Sequence, residues 1–325
     1  MTNARYTKNK NSDYIKRAHN IKNAFVCCIL IFIAFALSIF LSDEISYSVK
    51  GALSLCVNVI IPSVFPFMVI SDFLYRALDF TSLNCIGSLF ERVFKIRRSG
   101  IYAFFLGILC GFPLGVKCTA DLYSSGKITR NEAERLIGFS NNTGPAFLVC
   151  GIGLGLRGSI TEGIILYAVM VTSAVICGFL FSYRAKTEKL NEPKTDIYYR
   201  FSITESIRQA GLNTLNICSY LTFFSCVSGL LYKILGECRL YIAIIPFLEI
   251  GSAASILSKT PLLSSMESLA LSAFAVGFSG FSVHLQALSF LSGTDIGTKK
   301  YFIMKLLQGL ISVLLAYLAH LIFLK

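Results

Sequence analysis

The heptapeptide GFPLGVK, Gly111 to Lys117, limits what this chain can fold into more than any other stretch. It lies between an apolar run, Ile101 to Cys110, and a more polar one, Cys118 to Gly126. Two glycines and a proline in so short a space interrupt a helix. The run before it holds about ten residues, roughly half of what a membrane-crossing helix needs. The spacing therefore predicts a helix that enters a membrane, breaks, and restarts near Gly115 with Lys117 in its first turn. A break of this kind turns free backbone N–H groups toward the gap, where they attract anions. A lysine at membrane depth adds a charge that is costly and usually functional. The same residues would also suit a short loop at the membrane surface, with Lys117 among the headgroups.

The rest of the chain fits a membrane setting. Of its 325 residues, 54% are apolar and 15% charged, and mean hydropathy is +0.66. Apolar content at this level is above the soluble range. The net charge of +12 does not imply nucleic acid, because the basic residues lie in the gaps between apolar runs. Orientation signals and anionic headgroups account for that placement. The eleven cysteines form no CxxC pair and mostly sit inside apolar runs, as Cys27, Cys28, Cys110 and Cys177 do. They read as small apolar residues, with no disulfide framework, zinc site or other cofactor.

Residues 1–22 form a basic tail expected in the cytoplasm, and 23–45 a first transmembrane helix. Ser46 to Tyr75 is a second apolar stretch, kinked at Pro62 and Pro66. Phe90 to Arg98, FERVFKIRR, reads as an amphipathic basic segment. Lys127 to Gly138 reads as a short surface helix, with capping-box spacing at Thr129 and Glu132. Its Arg130, Glu132, Glu134 and Arg135 read as a solvated face. FSNNTGP, Phe139 to Pro145, puts Asn141, Asn142 and Thr143 at a second polar interruption, either a plain turn or a site contact. Glu162 to Phe181 is a span, and the basic loop Ser182 to Arg200 is the main internal boundary. A helix follows from about Ile203. Tyr241 to Ile256 carries Glu249, at a cavity wall or an interface. Leu269 to Leu291 contains GFSGFSVHLQ, another glycine-broken stretch with Ser279, Gly280, Ser282, His284 and Gln286. His284 reads as either a site residue or a packed core histidine. Tyr301 to Leu324 is the last span.

The two halves resemble each other. Ile61–Tyr75 aligns with Cys218–Tyr232, matching Phe67 with Phe224 and Ser71 with Ser228. With one inserted residue, Val116–Lys117 falls on Val283–His284. Glycine-interrupted segments at matching places in two halves point to a transporter site. The expected fold is an all-α polytopic bundle of two inverted repeats, 46–185 and 201–325, joined by a cytoplasmic linker at 186–200. Each repeat would carry a broken, re-entrant hairpin, entering from opposite sides. That scheme puts Lys299 and Lys300 on the outer side, against the usual charge bias.

GFPLGVK, then KITRNEAERLIGFSNNTGP, then GFSGFSVHLQ together resemble the sporulation integral membrane protein YlbJ family, whose members carry a Gate or nucleoside-recognition domain. The likeness runs from about Leu53 to Leu315. It implies an endospore-forming bacterium and export of dipicolinic acid across the outer forespore membrane. Dipicolinate is a small flat dianion at neutral pH. The expected substrate-binding residues are Gly111, Pro113, Gly115, Lys117, Asn141, Asn142, Thr143, Ser279, Gly280, Ser282, His284 and Gln286. Lys117→Gln is then expected to abolish dipicolinate accumulation. The alternatives are a nucleoside-type transporter, or a scaffold for spore-envelope assembly acting through the basic tail and loop. Replacing that loop by a neutral linker separates carrier from scaffold. HExxH, GxSxG and paired intramembrane carboxylates are not seen, which argues against an enzyme. Expected partners are the lipid bilayer, a small organic anion, and further copies of the chain or other sporulation membrane proteins, but no nucleic acid.

Overall fold

A computed structural model describes residues 40–77, 84–185 and 202–323. The basic tail, nearly all of the first transmembrane helix and the linker at 186–200 lie outside these residues. The chain divides into two units, Met1–Tyr47 and Ser48–Lys325. The second unit holds the helix breaks and the helix packing that bear on function.

Every regular element among the described residues is a helix. Helix α1 (Ser42–Leu55) runs through a π-wound turn, Cys56–Ile60, into α2 (Ile61–Ala77). The axis bends by 48° between Ile60 and Val64, where Pro62 withholds a backbone donor. Next come α3 (Asn84–Phe94), α4 (Gly100–Leu109), α5 (Leu114–Ser124) and α6 (Arg130–Ser140). A π-wound segment, Ala146–Leu156, leads to α7 (Ile160–Ser182). The second half holds α8 (Ile203–Leu235), α9 (Arg239–Leu248), α10 (Ile250–Leu257), α11 (Ser265–Phe278), α12 (Gly280–Leu291) and α13 (Lys299–Phe323). Four described helices are long and apolar enough to cross a membrane: α7, α8, α11–α12 taken as one, and α13. The bent α1–α2 pair would make a fifth.

Local signals explain where several helices start. Thr129, Ser159, Ser202 and Ser264 each accept a hydrogen bond from the backbone N–H of a glutamate three residues on. Each such cap contributes about 1 kcal/mol. The rings of Phe90, Phe94, Phe104 and Phe139 stack together, so the apolar face of α3 seats on α4 and α6 as the FERVFKIRR pattern implies.

The chain breaks at Gly111 as its residues predict. Helix α4 stops at Leu109, Gly111 takes a left-handed φ of +81°, and α5 starts at Leu114. The two helices pack side by side, and the Ser99 hydroxyl reaches the Lys127 carbonyl at 3.4 Å, so both ends of this hairpin meet on one face. Ten residues span about 15 Å, half a bilayer core. Gly107 and Gly115 let the hairpin close on α6: a Cβ at Gly107 would sit 1.6 Å from the Ser140 carbonyl oxygen, and one at Gly115 2.0 Å from it.

Three expectations need correction. First, α6 is no surface helix: its residues from Glu132 to Ser140 are buried except Glu134. Glu132 is ion-paired with Arg97 and Arg135 donates to the Lys95 carbonyl, so neither belongs to a solvated face. The capping pattern fixed the start of this helix, but its charges are paired inward. Second, the break in GFSGFSVHLQ falls at Ser279, whose φ is +78°. It makes no re-entrant hairpin, since α11 and α12 continue as one span of 27 residues. Third, Lys300 lies 2.8 Å from Glu134, so Lys299 and Lys300 share a face with Lys127 and Arg130. The length and apolarity of α11–α12 suit a full crossing that would deliver them there.

The Gly107 contact gives a direct test. Gly107→Ala is expected to lower the thermal midpoint of the detergent-solubilised protein by several degrees, since forcing a close crossing apart costs about 1–3 kcal/mol. Gly211→Ala, with open space around it, should leave the midpoint unchanged or slightly raised.

Candidate functional site

One cavity gathers the interruptions of both halves. It is partly open to the surroundings. Its wall takes Gly111 and Phe112 from the α4–α5 break, and Thr143 and Gly144 from the turn after α6. Glu249 joins from the α9–α10 break, and Ser282 and Gln286 from the first turns after the Ser279 break. Apolar side chains of Ile60, Phe147, Ile217 and Leu221 complete it. The breaks touch directly: a Cβ at Gly111 would lie 2.5 Å from Gly144 N, and one at Gly280 3.1 Å from the Leu248 carbonyl.

Behind the Asn141–Gly144 turn stands a buried polar stripe on α13. Tyr301, Lys305, Gln308 and Ser312 recur at helical spacing and are each fully buried. The Lys305 ammonium donates to the Asn141 carbonyl and, at 2.9 Å, to Gln308 Oε1. Gln308 Nε2 donates to Asn142 Oδ1 at 3.0 Å, and Ser312 meets Ser173 at 2.9 Å. Asn141 Nδ2 donates to the Tyr301 hydroxyl, which also meets His284 Nδ1, both at 2.8 Å. Among the described residues no carboxylate lies within ion-pair distance of Lys305. Its hydrogen-bond partners are neutral acceptors.

Four side-chain atoms around this network are buried with no hydrogen-bond partner: Asn141 Oδ1, Thr143 Oγ1, His284 Nε2 and Gln286 Oε1. An unsatisfied buried polar atom costs about 1–3 kcal/mol, so each calls for a reason. Thr143 and Gln286 line the cavity, where a bound molecule could satisfy them.

Of the residues singled out in the sequence, Gly111, Thr143, Ser282 and Gln286 line the cavity. Pro113 precedes the first residue of α5, and Gly115 is taken up by packing on Ser140. Lys117 lies half-buried in the first turn of α5 and is not part of the cavity wall. Asn141 and Asn142 stand behind the wall with Lys305. Ser279 forms the break, Gly280 seats against Glu249, and His284 faces Tyr301. The sequence reading missed Tyr301, Lys305, Gln308 and Ser312. Their polar stripe at i, i+4, i+7 and i+11 within an apolar span was the available signal.

Two ionic clusters tie the halves together on opposite faces. On the basic face, Lys300 and the Gly297 N–H reach Glu134, and Arg130 pairs with both Glu134 and Asp295. Burial opposes the charge of Glu134, but Lys300, Gly297 and Arg130 outweigh it and hold the carboxyl below its ordinary value. At the start of α7 and α11, Arg157 pairs with Glu162 and donates to Ser268 and Ser272 at 3.0 and 3.3 Å.

The comparisons agree with the motif resemblance. Sporulation integral membrane protein YlbJ of Bacillus subtilis (strain 168) is 27% identical over 304 residues, covering 80% of this chain and 74% of that protein. The chain is thus a homologue of a sporulation integral membrane protein. No family model matches it, and no solved structure matches it.

Two measurements check this geometry. Lys305→Met leaves the Asn141 carbonyl and Gln308 Oε1 without this donor and is expected to destabilise the protein by about 1–3 kcal/mol for each, read as loss of folded protein in detergent. A depressed folded value means that Glu134 stabilises above its unfolded value, near 4.5, and that this is lost as pH falls through the folded value. The midpoint gap between wild type and Glu134→Gln should therefore be constant above about pH 5 and shrink below about pH 4.

Proposed function

We propose that this chain is a membrane carrier for a small organic anion, dipicolinate being the cargo the family resemblance implies, and that it works in sporulation. The observation that carries this reading is a cavity walled by helix interruptions from both halves and lined by unpaired buried polar atoms. Discontinuous helices around a midplane site are the usual architecture of secondary transporters. Lys305 behind the Asn141–Gly144 turn and the helix starts at Leu114 and Gly280 add positive potential that suits a carboxylate. The flat walls given by Phe112 and Phe147 suit an aromatic ring.

The matched segments α2 and α8 pack against each other, as do α5 and α12, but α5 and α12 end on the same face, where Tyr123 donates to Asp295, so the second break does not mirror the first. The carrier would rock one half against the other, with the Glu134–Lys300 and Arg157–Ser268 contacts opening in turn. The basic face, carrying Lys95, Lys127, Lys299 and Lys300, would be cytoplasmic, as would the N-terminus.

A nucleoside cargo is the second reading. Glu249 and Gln286 Oε1 in the wall are acceptors, and a neutral donor-rich molecule would satisfy them.

Uptake of dipicolinate into vesicles containing only this protein tests the proposal. Saturable uptake is expected, with little competition from nucleosides. Thr143→Val and Gln286→Leu should each lower it two- to tenfold, and the pair at least tenfold, from about 1 kcal/mol per lost hydrogen bond. Wild-type rates in the double variant would take the cavity out of the path. Strong competition by uridine would favour the second reading.

A further inference from the structure

Glu249 is the feature of this cavity that an anion carrier does not by itself explain. It sits at the α9–α10 break, is 5% exposed, and lines the wall. One carboxyl oxygen accepts from Gly251 N at 2.7 Å and the other from Ser252 N. Two backbone donors at the start of a helix suit an ionised carboxylate. Among the described residues no lysine, arginine or histidine pairs with it. A dianion arriving in the same cavity would meet that carboxyl group, and like charges sharing a poorly solvated space favour protonation of one of them.

Apart from Lys305 behind the Asn141–Gly144 turn, held by the Asn141 carbonyl and Gln308, the surrounding elements offer no cation beside Glu249. The Cys56 thiol faces Glu249 and reaches the Cys218 carbonyl. Helix α8 otherwise presents Cys226 as well as Ser225, the latter bonded to Ser252. His284 of α12 is engaged by Tyr301, and Tyr241 of α9 by Ser228. Glu267 of α11 is occupied at the Ser264 cap, Arg239 lies at the far end of α9, and Cys150 of the π-wound segment is exposed.

Resting on the carrier reading, we infer that Glu249 takes up one proton when the anion enters the cavity, so that cargo and proton cross together. The step balances simply. One proton from solvent adds to one carboxylate oxygen, giving a neutral carboxylic acid that can donate to the anion, and the proton leaves when the cargo does. The backbone donors of Gly251 and Ser252 remain bonded to the carboxyl oxygens. Because Gly280 lies against the Leu248–Glu249 backbone, with a Cβ there reaching 3.2 Å from Glu249 Cα, the change of charge bears directly on the second break.

The test uses the full chain in vesicles with dipicolinate as the probe. An inward proton gradient should speed wild-type uptake several-fold, and a protonophore should abolish the gain. Glu249→Gln, of the same size and permanently neutral, should lose the response to the gradient, read as the ratio of its uptake with and without the gradient. A wild-type-sized response in that variant would overturn the inference. If the variant does not fold, mixing dipicolinate with purified wild-type protein in weak buffer at pH 8 should remove close to one proton per bound anion from solution. Saturable uptake with no proton taken up and no gradient response would overturn coupling and leave the carrier standing. Absence of any saturable dipicolinate uptake would overturn both.

Discussion

A helix broken inside a bilayer strands backbone N–H and C=O groups where water cannot reach them. The architecture is this protein's way of meeting that constraint. The Cys110–Pro113 break, the Asn141–Gly144 turn, Glu249 and Ser279–Gly280 are brought together, so that each satisfies or shields the next. Lys305 holds the Asn141 carbonyl, the Glu249 carboxyl holds Gly251 N and Ser252 N, and glycines at 111, 144 and 280 allow the backbones to touch. Of the atoms the gathering leaves unsatisfied, those of Thr143 and Gln286 face a common space.

The last helix is the spine of that arrangement. Gly277 of α11 and Gly309 of α13 permit a close crossing, since a Cβ at Gly277 would come 3.0 Å from Gly309 Cα. That crossing carries Tyr301, Lys305, Gln308 and Ser312 against α6 and α7. The same helix begins at Lys299 and Lys300 on the basic face, so the ionic cluster with Glu134 and the buried stripe act on one rigid element. Movement of α13 would couple the face to the cavity.

Much of this was legible in the sequence. Gly111 and the Pro113 ring announce a break that no helix tolerates, and Asn141–Asn142–Thr143 announce another. The Thr129–Glu132 cap gave the start of α6 correctly. The charges of α6 misled because exposure cannot be read from residue type: Glu132 and Arg135 are buried through partners, Arg97 and the Lys95 carbonyl, more than thirty residues away. The course of the chain after Ser279 was also hidden. A left-handed residue can turn a helix back or only jog it, and the choice is made by packing of α11 on α13. Lys305 escaped notice for a similar reason, since a lone lysine near the end of a span ordinarily snorkels to the surface, and only its acceptors on α6 and α13 reveal that it stays inside.

Everything rests on the breaks of the two halves sharing one space. Cys110 of the first half and Ser282 of the second both line it, so the most direct measurement is cross-linking of Cys110 to Ser282→Cys in native membranes, in a chain otherwise free of cysteine, with a short bifunctional thiol reagent. The account expects an intramolecular cross-link that saturating dipicolinate suppresses. Two thiols that each react with a monofunctional reagent yet never join would contradict it.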